Sequence, residues 1–172
     1  ITLLIAAVII VGLQATIQKF VVDGPSMNFT LQDRQQLLVN KVVYKFHQPE
    51  RGDIVIFHPP FDEEEEYVKR IIGLPGESVE IKNETVYIHK KDGKVESLDE
   101  PYVTRPAMQS FKGEVIPESE YFVMGDNRNN SSDSRNGWTL PRENIIGKAW
   151  LSIWPASTWG LVANYSFPEP TE

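Results

Sequence analysis

From Lys19 to Trp154 the chain is a succession of short apolar or alternating runs: "LLVNKVVYKF", "DIVIF", "YVKRIIGLPGESVEI", "TVYIHKKDGKVES", "YFVMG" and "IIGKAWLSIWP". Alternation at period two sends successive side chains to opposite faces, and Gly and Pro punctuate the runs, so the pattern predicts strands. Asp92-Gly93, between Val86-Tyr87-Ile88 and Val95, predicts a tight hairpin, and Gly73-Leu74-Pro75-Gly76 predicts a turn joining two strands. Residues 82–120 are more charged and contain Pro101, Pro106 and Pro117, which points to a small β subdomain inserted into the main sheet.

The first segment breaks this pattern. "ITLLIAAVIIVGLQATI" has no charge before Lys19 and only Thr2, Gln14 and Thr16 as polar side chains, over about 17 residues, the lower limit for crossing a bilayer. Residues 1–18 therefore read as a transmembrane anchor and residues 19–172 as a β-rich domain. A buried core helix would carry a polar face, and the apolar part of a cleavable signal would be shorter. The chain starts at Ile1 without methionine or a basic flank, so the anchor is expected to lack part of its natural N-terminus, and loop charge gives no orientation.

At 172 residues and 41% hydrophobic content the chain can bury a core. Its net charge of -7 and pI near 5.0 exclude a nucleic-acid partner, which needs a dense basic face. Cysteine is absent, so disulfides, a thiolate nucleophile and zinc-thiolate sites are excluded, whatever the compartment. His47, His58 and His89 are isolated, without the spacing of a metal site, and neither a metal nor a cofactor is expected. The acidic run Asp62 to Glu66 reads as a solvated loop. Arg51-Gly52-Asp53 reads as a turn leading into the strand Ile54-Val55-Ile56-Phe57, in preference to an adhesion ligand. "GDNRNNSSDSR", Gly125 to Arg135, is rich in calcium-type ligands but places Arg128 where an EF-hand needs an oxygen. The five Asn-x-Ser/Thr triplets, at Asn28, Asn83, Asn129, Asn130 and Asn164, matter only on a glycosylating route.

Candidate chemistry lies in "VVDGPSMNFTL", Val21 to Leu31, where Ser26 sits in a turn-like segment soon after the apolar run. An unassisted serine is a poor nucleophile at neutral pH. Without a plausible histidine partner or any cysteine, the remaining base is a lysine whose proton is loosened by burial. In "EEYVKRII" a strand would put Tyr67, Lys69 and Ile71 on one face, which makes Lys69 the candidate. Spacing by itself leaves an ordinary surface lysine as the plainer alternative.

Four blocks in order, "GPSMNFTL", "RGDIVIF", "YVKRIIGLPGE" and "GDNRNNSSDSR", with "GKAWLSIWP" as a closing strand, resemble the type I signal peptidases, membrane-anchored serine-lysine proteases. The resemblance implies a mainly β fold: an antiparallel-sheet catalytic domain preceded by one transmembrane helix. It implies Ser26 as nucleophile, Lys69 as general base, and the backbone N–H of Ser26 as an oxyanion donor. Gly24 stands where some members add a serine hydroxyl, so no side-chain donor is expected there. Ser131 matches a serine that orients the lysine, and Asp126, Arg70, Asp133 and Arg135 match charged residues that support the site. The family usually has proline at the position of Phe29, so the loop is expected to be less constrained than usual.

Implied substrates are exported preproteins whose signal peptides present small residues, typically alanine, one and three positions before the cut. The catalytic domain is expected beside the lipid bilayer, on the side away from the cytoplasm. Trp150, Trp154 and Trp159 are candidates either for the headgroup region or for the core. Two rival readings remain: a catalytically silent relative that binds signal peptides or assists membrane-complex assembly, motivated by Phe29 and Gly24, and a self-cleaving serine-lysine regulator, which would carry a DNA-binding module.

Overall fold

The computed structural model describes residues 16–168. Eight strands form one antiparallel sheet: β1 (Ile17–Val21), β2 (Gln36–Asn40), β3 (Ile54–Phe57), β4 (Tyr67–Gly73), β9 (Glu120–Met124), β10 (Leu140–Pro141), β11 (Ile145–Trp154) and β12 (Gly160–Leu161). Their order is β1-β2-β11-β3-β4-β9-β10, with β12 pairing with β11. Register shifts along β11 and at the end of β4 bend these strands locally, as bulges do. A second sheet takes β5 (Ser78–Lys82), β6 (Thr85–His89), β7 (Val95–Ser97) and β8 (Phe111–Lys112) in the order β7-β6-β5-β8.

The alternating runs become strands because each has a face to bury. In β2, β5 and β6 burial alternates along the strand, while β3 and nearly all of β4 are buried on both faces. Phe20, Leu37, Val39, Ile54, Ile56, Val68 and Ala149 pack into one cluster that also takes Met27 and Leu31 from the loop after β1. On the other face Val55, Phe57, Ile71, Tyr121 and Val123 form a second cluster, and the smaller sheet buries Val79, Ile81, Val86 and Ile88 with Ile72 and Phe122 of the main sheet.

Both turns read from the sequence are present: Gly93 adopts φ +83 in the β6–β7 hairpin and Gly76 φ +79 between β4 and β5. The β5–β6 hairpin was not legible, because its turn uses Asn83 and Glu84 at φ +50 and +65 in place of the usual glycine. The run "LLVNKVVYKF" is only half strand. After Asn40 its side chain accepts from the N–H groups of Val42 and Val43, both at 3.0 Å, and the chain turns into the single-turn helix α1 (Val43–Phe46). At the N-terminus Ile17 pairs with Asn40 and Gln18 with Val39, so β1 takes the last two residues of the expected anchor. Residues 1–15 of that anchor lie outside the described residues, among which no helix is long and apolar enough to cross a membrane.

Ile56 is fully buried beneath the Met27–Leu31 loop. Ile56→Ala is expected to cost about 2–5 kcal/mol in urea unfolding.

Candidate active site

Ser26 stands on a loop whose shape is set by several ties. Gly24 adopts φ +79 and its N–H donates to Asp33 Oδ1 at 2.8 Å. The N–H of Asn28 reaches Pro25 O, and those of Thr30 and Leu31 reach Met27 O, closing two successive turns around Ser26. Met27 and Leu31 are driven into the core, and the facing loop pins the segment from the other side: Asn127 N–H donates to Ser26 O at 3.0 Å and Asn127 Nδ2 to Pro25 O at 3.0 Å. Thr30 Oγ1 donates to Asp126 Oδ2 at 2.6 Å.

The sequence leads one to expect a loop less constrained than usual at Phe29; in the structure hydrogen bonds and two buried side chains tie the loop at several points. Phe29 is exposed and adopts φ +26, a conformation that proline, fixed near -65°, cannot take.

Lys69 and Arg70 are consecutive on β4 and so point to opposite faces. Lys69 is 5% exposed, and its Nζ donates to Ser26 Oγ at 2.8 Å and to Val68 O at 3.0 Å, with the Tyr67 ring 5.3 Å away. Burial pushes its pKa down from 10.5 to about 8, against the pull of the Asp133 and Asp126 carboxylates, which raise it. A substantial neutral fraction near pH 8 can therefore accept the hydroxyl proton of Ser26. Arg70 on the far face makes a bidentate pair with Asp126, Nε to Oδ1 at 2.9 Å and Nη2 to Oδ2 at 2.7 Å, with both side chains fully buried. Its remaining Nη1 donates to Gly52 O at 2.8 Å, and the Tyr102 ring lies 3.8 Å from the guanidinium carbon.

The segment Gly125 to Arg135 is a knot of side-chain bonds rather than an ion-binding loop. Asp133 accepts from Gly125 N–H at 3.1 Å and from Arg135 at 2.8 and 2.7 Å. Burial alone would raise the Asp133 carboxyl, but Arg135, with smaller contributions from Ser131 and Gly125, holds it below the usual carboxylate range. Arg128, the residue that broke the calcium pattern, is buried and paired with Glu100. A Cβ on Gly125 would lie 2.3 Å from Ser131 Oγ and 2.4 Å from Ser26 O, so only glycine lets this loop approach the Ser26 loop.

Ser131 is brought beside Gly125 and Asp133, and the lysine-orienting role that the resemblance implies for it stays an expectation. Both hydrogen bonds of Lys69 go elsewhere, and Ser131 Oγ is buried with no hydrogen bond of good geometry. Arg70 pairs with Asp126, and Arg135 with Asp133 on the same loop, whereas Gly24 bonds Asp33 within the Ser26 loop. Sequence reasoning missed Glu65 and Glu66: the end of the acidic run rims a groove of about 220 Å³ that also holds Phe20, Asp23, Ser26, Tyr67 and Lys69. Larger cavities, up to about 420 Å³, lie away from Lys69, but they lack a hydroxyl bonded to an amine, and chemistry rather than size picks out the site.

An antiparallel β fold that buries a lysine against a serine hydroxyl brings together the two groups that lysine-assisted acyl transfer would use. Comparison with known proteins narrows the reading. The family described as signal peptidase, peptidase S26, matches residues 1–154. The chain is 41% identical over 153 residues to a probable signal peptidase I-1 of Synechocystis sp., covering 85% of this chain and 76% of that protein. It is 41% identical over 167 residues to signal peptidase I S of Bacillus subtilis, covering 87% and 86%. A solved signal peptidase I from Enterococcus faecalis superposes with TM-score 0.51 at 33% identity, over 59% of this chain and 97% of that one. The chain belongs to the signal peptidase family S26.

The Lys69 environment predicts a pH signature in stability. Its folded pKa lies below its unfolded value, so the buried charge opposes folding in full below about pH 8, and the penalty is relieved as pH rises from about 8 to 10.5. Over that window the stability of wild type relative to Lys69→Met is expected to rise by about 3 kcal/mol in chemical denaturation.

Proposed function

We propose that the protein is a membrane-associated serine endopeptidase that removes N-terminal signal peptides from exported preproteins after small residues, with Ser26 as nucleophile and Lys69 as general base. The observation that carries this reading is the 2.8 Å hydrogen bond between Lys69 Nζ and Ser26 Oγ in a site where Lys69 is desolvated. Neutral Lys69 takes the Ser26 proton as Oγ attacks the scissile carbonyl, and the negative charge that develops on the carbonyl oxygen faces the Ser26 N–H. The Lys69 ammonium then protonates the leaving amine, which departs as the mature protein's new N-terminus. Lys69, neutral again, deprotonates the water that hydrolyses the acyl-Ser26 ester. Asp126 and Arg70 fix the loop behind Ser26, and Asp133 and Arg135 fix the loop against which it rests.

The groove beside Ser26 is where the side chains before the cut would sit, and the preference for small ones follows from the resemblance. Membrane proximity rests on two features. The apolar run over residues 1–17 leads into β1, whose end is five residues before Ser26, so an anchor there would hold the site near the bilayer surface on the extracytoplasmic side. Trp154 and Trp159 are 55% and 69% exposed and Leu161 76%, which favours headgroup contact over core packing for this end of β11 and β12. The Lys69–Ser26 hydrogen bond weighs against the silent-relative reading as far as Phe29 motivates it, and the missing hydroxyl at Gly24 is left to the cleavage assay.

Incubation with a preprotein carrying an Ala-x-Ala cleavage site, followed by mass determination of the new N-terminus, is expected to show one cut directly after the second alanine. Ser26→Ala, Lys69→Ala and Lys69→Arg should each fold and fail to cleave, the last because a guanidinium keeps its proton. Cleavage by any of the three would remove the mechanism, and a wild type that binds the preprotein without cutting it would restore the silent-relative reading. Phe29→Pro is expected to lower the single-turnover rate by at least about tenfold, since the ring forbids the positive φ of this turn. A proline variant as fast as wild type would show that the positive φ is not needed for reaction.

A further inference from the structure

The tripeptide Arg51-Gly52-Asp53 meets the end of the chain. After β12 the backbone turns back across the start of β3, beyond the residues that the family comparison matches. Asn164 holds it there: its Oδ1 accepts from Ile54 N–H at 2.7 Å and its Nδ2 donates to Ala149 O at 3.0 Å. Tyr165 N–H donates to Gly52 O at 3.1 Å. Gly52 adopts φ +95, and a Cβ there would lie 1.8 Å from Tyr165 O, so the crossing requires glycine. The Tyr165 ring packs against Phe167 at 4.7 Å and against Tyr102 at 5.4 Å.

Three contacts of this segment lead to Arg70. The segment gives the guanidinium one carbonyl directly, Ala163 O at 3.2 Å, and it shares the Gly52 carbonyl, which Arg70 also uses. It also backs the Tyr102 ring that covers the guanidinium face. Beyond Arg70 the connection runs to Asp126, from Asp126 to the hydroxyl of Thr30, and so to the turn that carries Ser26.

We propose that residues 162–167 form a strap that positions Ser26 against Lys69 through the Arg70–Asp126 pair, with Asn164 and Tyr165 as positioning residues. This deepens the peptidase reading and rests on it. With the strap lifted, Arg70 loses a carbonyl and the support of its covering ring, water reaches the pair, and Asp126 no longer has a fixed place from which to hold Thr30. A displacement of about 1 Å at the Ser26–Lys69 contact is enough to slow acyl transfer. The charges facing Lys69 are Asp126 and Asp133 behind it and Asp23, Glu65 and Glu66 along the groove. Of these only Asp126 is paired with Arg70, so a loosened pair leaves more uncompensated negative charge near the amine and holds its proton more tightly.

The test uses the full chain in detergent with Asn164→Ala, Tyr165→Ala and Tyr165→Phe, each checked for folding by circular dichroism. Two quantities are read: cleavage of an Ala-x-Ala preprotein, and the NMR titration of Lys69 in the absence of substrate. The alanine variants are expected to lose at least about tenfold in kcat with KM changed by less than about threefold. Their Lys69 midpoint should move from about 8 toward 10.5, while Tyr165→Phe, which keeps the ring, matches wild type in both. Folded alanine variants that keep the wild-type kcat and midpoint, and lose only melting temperature, would overturn the strap as a positioning device. The titration needs no turnover, so a wild type that failed to cleave would overturn the peptidase reading while the midpoint still decided the strap.

Discussion

The structure turns on a strand that buries two cations back to back. β4 is flanked by β3 and β9 and covered on both faces, yet its centre carries Lys69 and Arg70 in succession. A charge taken out of water costs several kcal/mol unless something compensates it, and the two side chains meet that cost differently. Arg70 cannot lose its proton, so it is matched by Asp126 and backbone carbonyls; removing one partner of such a pair typically costs about 3–5 kcal/mol. Lys69 can lose its proton, and desolvation makes that loss easy near pH 8. The alternation of a β-strand thus separates a permanent ion pair from a reactive amine by a single residue.

The two faces are not independent. Asp126, the partner of Arg70, also accepts the hydroxyl of Thr30, four residues after Ser26, and its neighbour Asn127 holds the carbonyl of Ser26 itself. Asp126 thereby links the buried ion pair to the loop that carries Ser26. Gly125 lets the two loops lie close enough for this, and Asp133 with Arg135 stiffens the second loop. The carboxylates that stabilise this frame also raise the Lys69 pKa, and they act against the burial that lowers it. The balance leaves the amine titrating within the range where a general base is useful.

Much of the fold was legible because alternation and turn residues report directly on local geometry. The hairpin at Gly93 and the turn at Gly76 follow from dihedral preference, and the strands follow from the faces they bury. The break after Asn40 was not legible, since it depends on one side chain choosing backbone donors over solvent. Ser26 and Lys69 are separated by 43 residues, and no local rule predicts their contact; elimination of histidine and cysteine made Lys69 a candidate, and resemblance among whole blocks paired it with Ser26. The same resemblance suggested that Phe29 would loosen the loop, and the hydrogen bonds from Asn127 and Thr30 that tie it are tertiary and so invisible to a reading of the local sequence. The segment around Asn164 carried no sequence signal except a glycosylation-type triplet. Its side chain is spent on β3 and β11 instead.

The central claim is that desolvated Lys69 activates Ser26. It is tested most directly by the pH dependence of kcat/KM for a short peptide ester whose acyl part ends in Ala-x-Ala, measured between pH 6 and 11. An ester needs no protonation of a leaving amine, so the profile reports the base alone. The account predicts a single rise with its midpoint near the Lys69 value of about 8 and a plateau above it. A rise displaced to about 10.4, the value of an exposed lysine, or a rate independent of pH, would contradict it.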